Sequence, residues 1–170
     1  MKAAVFIAPG QIEVQETAKP EIDGENQAII RVVRASVCGS DLWWYRGIAK
    51  REANTLVGHE AIGVVEQVSA DVSQIKAGDF VIVPFTHGCG HCVACLNGFE
   101  GNCLNQKPGS NGGYQAEFMK YEPADSGLVK IRQPTTLMSS WPRCRRFLTL
   151  WRPAFMQPKM LRSSQAIRLQ

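Results

Sequence analysis

The sequence predicts a mainly β domain, a small barrel or sandwich of short strands. Three observations carry this. Over residues 1–132 the apolar residues fall in short, β-branched runs separated by Gly and Pro. No helical period is sustained over three turns. The chain has 170 residues and 45% apolar content, which suits one domain with a single core and is short for a two-domain enzyme.

Each element follows from a local pattern. Residues 3–8 form an apolar run that Pro9-Gly10 breaks. Residues 27–35 include Ala28-Ile29-Ile30-Arg31-Val32-Val33, β-branched and partly alternating, as expected for a strand with one face on a core. Segment 41–47 is the one short helix expected. Strands are predicted next at 61–68 and at 79–84, the latter directly after the turn chemistry of Gly78-Asp79. The last two fall at 114–121 and 127–131. No internal repeat or low-complexity tract interrupts the series.

The apolar start is shorter than a signal-peptide core of roughly 7–15 residues, and no run approaches the roughly 18 needed to span a bilayer. The reading is a cytoplasmic protein with no membrane partner. Four of the six cysteines crowd between Cys89 and Cys103. In a reducing compartment such a cluster points to a metal site rather than a disulfide framework.

That cluster reads Cys89-x2-Cys92-x2-Cys95-x7-Cys103 on a loop that also holds Gly88 and Gly90. Short spacers let the backbone wrap a tetrahedral zinc ion, and glycines relieve the turns. Four sulfurs close the shell and leave no position for substrate, so this metal would be structural. An iron–sulfur cluster is the competing metal reading, but its bacterial pattern places the fourth Cys three residues on, followed by Pro. Here the gap is seven residues and Leu104 follows. Disulfides or free thiols are the remaining alternative. His91, inside the loop, is read as a bystander.

A second constellation pairs Cys38-Gly39-Ser40-Asp41 with Gly58-His59-Glu60-Ala61-Ile62-Gly63. Taken singly, Cys38 fits a buried core thiol and His59-Glu60 a surface pair. Together, thiolate, imidazole and carboxylate from two loops suit a zinc that keeps an open position and acts as a Lewis acid on an alcohol or carbonyl oxygen.

These motifs, with Gly78-Asp79-x-Val81 and the four-cysteine lobe, resemble the zinc-dependent alcohol dehydrogenases of the medium-chain dehydrogenase/reductase superfamily, particularly the threonine- and sorbitol-dehydrogenase-like branches. The resemblance covers residues 1–131. It implies a GroES-like catalytic domain, a partly open β-barrel with short helices and a zinc-binding lobe. By resemblance Cys38 and His59 are ligands of a catalytic zinc, and Glu60 is the adjacent carboxylate that enters its shell. Ser40 falls where the family relays the alcohol proton, and Asp41 where a carboxylate holds the ligand imidazole and fixes its tautomer. A helix N-cap is the plainer reading of Ser40-Asp41. Trp43, Trp44 and Tyr45 fit either a substrate cleft or the core, and His87 a structural or exposed position.

The resemblance further implies hydride transfer between a secondary alcohol or polyol and NAD(P), two zinc sites, and, in full-length relatives, a homo-oligomer. The Rossmann domain that binds NAD(P) in the family is missing from the printed sequence. There is no G-x-G-x-x-G after a strand, and residues 109–113 lack the strand–turn–helix context of that fingerprint. No cofactor-binding residue is therefore assigned. Domain boundaries are expected at 1–134 for the catalytic domain and 135–170 for a basic, disordered tail.

The tail differs in composition. Residues 1–125 carry 10 Lys/Arg against 15 Asp/Glu, whereas residues 126–170 carry 9 Lys/Arg and no acid, so a net charge of +4 joins segments of −5 and +9. Such asymmetry suggests a basic arm for nucleic acid or membrane. A reading frame slipped near Ser139-Ser140 accounts for more. Back-translated and shifted, residues 147–170 can yield a Leu-Ser-Asp triplet, a Thr-Gly-Leu-His-Ala-Ala helix and a Gly-Asp-Thr-Val strand start, similar to the family's approach to its Rossmann domain. Most steps allow several residues, but Met156 before Gln157 forces Ala. The sequence is therefore read as the catalytic domain of a zinc-dependent alcohol dehydrogenase with an out-of-frame tail, inactive alone, and with no nucleic-acid partner. A non-catalytic zinc-binding module is the alternative.

Overall fold

The computed structural model describes residues 1–85, 87–105 and 112–131. They form two antiparallel sheets that do not close into a barrel. The smaller sheet comprises β1 (Lys2–Ala8), β2 (Gln11–Glu16) and β4 (Thr55–Leu56), in the order β2-β1-β4. The larger comprises β3 (Ala28–Ala35), β5 (Ala61–Val68), β6 (Phe80–Val83), β7 (Phe118–Tyr121) and β8 (Val129–Ile131), in the order β7-β3-β5-β6-β8. Three single-turn helices complete it: α1 (Asp41–Tyr45), α2 (Val93–Leu96) and α3 (Ala124–Gly127), with a 3-10 turn at Glu100–Asn102.

The mainly β expectation holds, with boundaries moved by pairing. The run at 114–121 is continuous in sequence but changes partners midway. Gln115 donates to the Val57 carbonyl, its own carbonyl accepts from Ala4, and Ala116 bridges Ala3. From Phe118 onward the same segment pairs with β3. This crossing stitches the two sheets together, so only its second half is a strand of the larger one. At 127–131 the first residue closes α3 and the strand begins at Val129. The basic tail, its frame and its one cysteine, Cys144, lie outside the described residues.

β2 was not expected. Gln11-Ile12-Glu13-Val14-Gln15 alternates polar and apolar, and Pro9-Gly10 is the turn of the hairpin that β2 forms with β1, Gly10 standing at φ +79°. The hairpin turn also touches α1, since the Gly10 amide donates to the Tyr45 carbonyl at 2.7 Å.

The core has two parts. Ile30, Val65, Val81, Val83, Tyr114, Met119 and Tyr121 centre the larger cluster, under the five-stranded sheet. The smaller one joins Ala4, Phe6, Val57 and Trp44 beneath α1. Among the described residues no buried side-chain nitrogen or oxygen lacks a hydrogen-bond partner, as a well-formed interior requires. No described helix is long and apolar enough to cross a membrane.

Candidate metal centres

Four thiols meet in the lobe between β6 and β7. Cys89, Cys92, Cys95 and Cys103 are half-buried, and their sulfurs all lie within 4.8 Å of one another. Cys92 and Cys95 are 3.4 Å apart, Cys89 and Cys95 3.9 Å, and Cys92 and Cys103 4.0 Å. A tetrahedron with zinc–sulfur bonds of about 2.3 Å has edges of about 3.8 Å, so the group fits zinc. Backbone amides point at the sulfurs as well: Cys89 donates to Cys103 at 3.2 Å and Cys92 to Cys89 at 3.3 Å. The amide of His91, against the opposing effect of burial, leads the interactions that lower the Cys89 thiol to about 6. Burial first, then the neighbouring sulfurs, push Cys95 up to about 12. A cation among them removes that conflict, because metal-bound cysteines are thiolates.

His91 is exposed, its Nδ1 2.9 Å from the Cys89 carbonyl and its Nε2 3.3 Å from the Asn105 side-chain amide. His87 packs its ring edge-on against Tyr121.

The second group forms where the turn after β3 meets the loop before β5. Ligand atoms of Cys38, His59 and Glu60 lie within 4.8 Å of one another. One buried carboxylate ties the two segments together. Asp41, 4% exposed, accepts the Cys38 amide on Oδ2 at 2.9 Å and places Oδ1 3.2 Å from His59 Nδ1. With Nδ1 so engaged, His59 Nε2 faces Ser40 Oγ at 3.4 Å and Glu60 Oε1 at 4.0 Å. The Asp41 hydrogen bond, outweighing the effect of burial, pushes His59 up to about 9. Burial raises the Cys38 thiol, but hydrogen bonding with Ser40 and His59 outweighs it and the net movement is downward. The lowered thiol favours the thiolate that a metal binds, whereas the raised imidazole gives up its Nε2 proton when a metal binds.

The glycines bracketing His59-Glu60 have steric reasons. Gly58 stands at φ +93°, and a Cβ there would lie 2.6 Å from Gln115 Cγ. At Gly63 a Cβ would sit 2.5 Å from the Arg31 carbonyl oxygen of the paired strand. Small residues at both points let the loop and β5 press against their neighbours, which sets His59 opposite α1.

Ser40 is the residue preceding α1, yet its side chain makes no capping bond. The hydroxyl faces His59 instead, so the N-cap reading does not hold for the side chain. Of the three aromatic residues on α1, Trp44 belongs to the core, edge-on to Phe6 at 5.2 Å with the Arg51 guanidinium over its ring. Tyr45 is partly buried against the same cluster. Trp43 is 62% exposed.

Two residues at this site were not singled out in the sequence. Phe85, just past β6, is exposed and lies edge-on to the His59 ring at 5.6 Å. Ser36 donates a short hydrogen bond to Glu60 Oε2. Neither carries a spacing signal, because each reaches the site through strand pairing and not through a motif.

Residues 24–133 match the alcohol dehydrogenase GroES-like domain. The zinc-type alcohol dehydrogenase B of Aspergillus flavus is 35% identical over 135 residues, covering 76% of this chain and 31% of that protein. A glutathione-independent formaldehyde dehydrogenase of Pseudomonas aeruginosa is 32% identical over 148 residues, covering 76% of this chain and 37% of its own length. Among solved structures, alcohol dehydrogenase TADH from Thermus sp. ATN1 superposes with a TM-score of 0.71 at 31% identity, over 78% of this chain and 40% of that one. The chain thus spans about a third to two fifths of the relatives it matches.

Proposed function

Because the chain belongs to the alcohol dehydrogenase family through its GroES-like domain, we propose that it is the catalytic-domain portion of a zinc-dependent dehydrogenase acting on a secondary alcohol or polyol. The observation that carries this is the convergence of Cys38, His59 and Glu60 within 4.8 Å, with Asp41 buried behind the imidazole. A closed four-sulfur site alone supports folding, whereas a Cys-His-carboxylate set with an open side supports chemistry.

The residues divide the work as follows. Cys89, Cys92, Cys95 and Cys103 hold a structural zinc that pins the lobe. Cys38, His59 and Glu60 hold the second zinc, which when bound supplies a Lewis acid to an alcohol oxygen, with NAD(P)⁺ as hydride acceptor in the complete enzyme. Asp41 accepts the Nδ1 proton of His59 and so keeps the Nε2 lone pair directed at the site. The Ser40 hydroxyl, exposed and 3.4 Å from that nitrogen, takes the alcohol proton and passes it to solvent. Phe85 presents exposed aromatic surface beside His59.

The 170-residue chain by itself binds zinc, for which the four-sulfur group is complete, and turns over no alcohol. A zinc-loaded chain extended in the restored frame past Ser140 tests the reading. It oxidises a secondary alcohol with NAD(P)⁺, and Cys38→Ser abolishes this. Absence of turnover in the extended, zinc-loaded protein refutes the dehydrogenase assignment. Turnover by the 170-residue chain refutes the inactivity proposed for it.

A further inference from the structure

The registration of β3 on β5 ends at the pair Ala35↔Ala61, both buried in the core. The next pair in that register is Ser36 opposite Glu60, and the Ser36 amide still donates to the Glu60 carbonyl at 3.1 Å. Side chains alternate along paired strands. Because Ala35 and Ala61 point into the core, Ser36 and Glu60 point to the opposite face, where Cys38 and His59 lie. On that face the Ser36 hydroxyl donates to Glu60 Oε2, while Oε1 lies 4.0 Å from His59 Nε2.

Ser36 is itself anchored. Its carbonyl accepts the Gln115 side-chain amide at 3.2 Å, and Gln115, 9% exposed, is held by the backbone of both β1 and the 57–58 segment. The chain Gln115–Ser36–Glu60 therefore runs from the seam between the two sheets to the metal group. A glutamate has three side-chain torsions and loses much rotamer freedom when it is fixed. A hydroxyl on one oxygen removes part of that freedom before any ion binds.

We propose that Ser36 is a positioning residue for Glu60: by occupying Oε2 it presents Oε1 alone to the ion, as a single-oxygen ligand. This rests on the assignment of Cys38, His59 and Glu60 as a zinc site. It predicts that the site's affinity depends on the hydroxyl at position 36 and not on the bulk of that side chain.

The test is a Co²⁺ titration of the metal-free 170-residue chain, followed by the visible absorption of each bound ion. The parent takes up two ions, one at the four-cysteine lobe and a weaker one at the second group. Ser36→Ala weakens the second ion roughly tenfold, the scale of losing a hydrogen-bonded partner of a metal ligand, and alters its spectrum. Uptake at the lobe is unchanged, which confirms that the variant folds. Ser36→Thr restores both affinity and spectrum. In a Glu60→Ala background, Ser36→Ala has no further effect, because the two residues act through one interaction. Unchanged second-ion binding in Ser36→Ala, or an equal loss with Glu60 already removed, overturns the proposal and leaves the zinc site standing. A parent that binds one ion only overturns both.

Discussion

Replacing Asp41 with Asn isolates the electrostatic role of this residue from its shape. The two side chains are nearly isosteric, so the buried pocket at 4% exposure is neither emptied nor overfilled. The Asn carbonyl can still accept the Cys38 amide that Asp41 accepts at 2.9 Å. Its amide then faces His59 Nδ1, which lies 3.2 Å from Asp41 Oδ1. Two N–H groups cannot face each other, so His59 moves its proton to Nε2, the nitrogen directed at Ser40 and Glu60. That tautomer has no lone pair to offer the ion. A charge-assisted hydrogen bond contributes about 1.5–3 kcal/mol, and loss of the partner of a metal-bound histidine costs about 10–100-fold in affinity. At roughly 1.4 kcal/mol per tenfold, the two ranges agree. Isothermal titration of Zn²⁺ into metal-free protein should show the weaker binding step loosened 10–100-fold, with the tight step unaltered. Equal affinity at both steps in Asp41→Asn and parent would refute the argument that Asp41 sets the tautomer.

The remaining predictions concern the lobe, pH, packing and reading frame. Cys92→Ser should lose the tight zinc and loosen the lobe to protease, while Cys38→Ser leaves that zinc bound. In metal-free protein, His59 is raised from 6.5 to about 9 on folding, so the Asp41–His59 pair stabilises fully below pH 6.5 and its contribution is lost as pH rises through 9. Thermal melts across that window should fall for the parent and stay flatter for Asp41→Asn, and a parent melt independent of pH would count against the ion pair. Gly63→Ala sets a Cβ 2.5 Å from the Arg31 carbonyl. It should lower stability in urea by about 1–3 kcal/mol, the scale of overpacking, and an unchanged midpoint would show that β5 can yield. Coding DNA shifted by one base near Ser140 should run on into a strand followed by a glycine-rich turn, and an early stop in that frame ends the frame-slip account.

What was legible in the sequence was chemistry with short spacing. Cys89-x2-Cys92-x2-Cys95 brings sulfurs together whatever the surrounding fold does, and the strands at 27–35 and 61–68 declared themselves through β-branched runs. Those two strands form the longest pairing in the domain. Cys38 and His59 were named through family likeness; nothing in their spacing shows that a buried Asp41 would connect them. β2 has little local signal, because Pro9-Gly10 ends an apolar run as readily as it turns a hairpin. The split of 114–121 between two sheets has no local signature, since it depends on which strands lie beside it. Single turns such as α2 and α3 are too short to show a period. Ser36 and Phe85 reach the site by register alone.

The two zinc sites proposed for this chain should differ in strength, and that difference is countable. Zinc content per chain, measured on anaerobically purified and zinc-saturated protein before and after dialysis against a chelator, tests it most directly. The account predicts two equivalents before dialysis and one after, because all four lobe ligands lie within a single loop and the second group offers three. One equivalent or less bound before dialysis would contradict it.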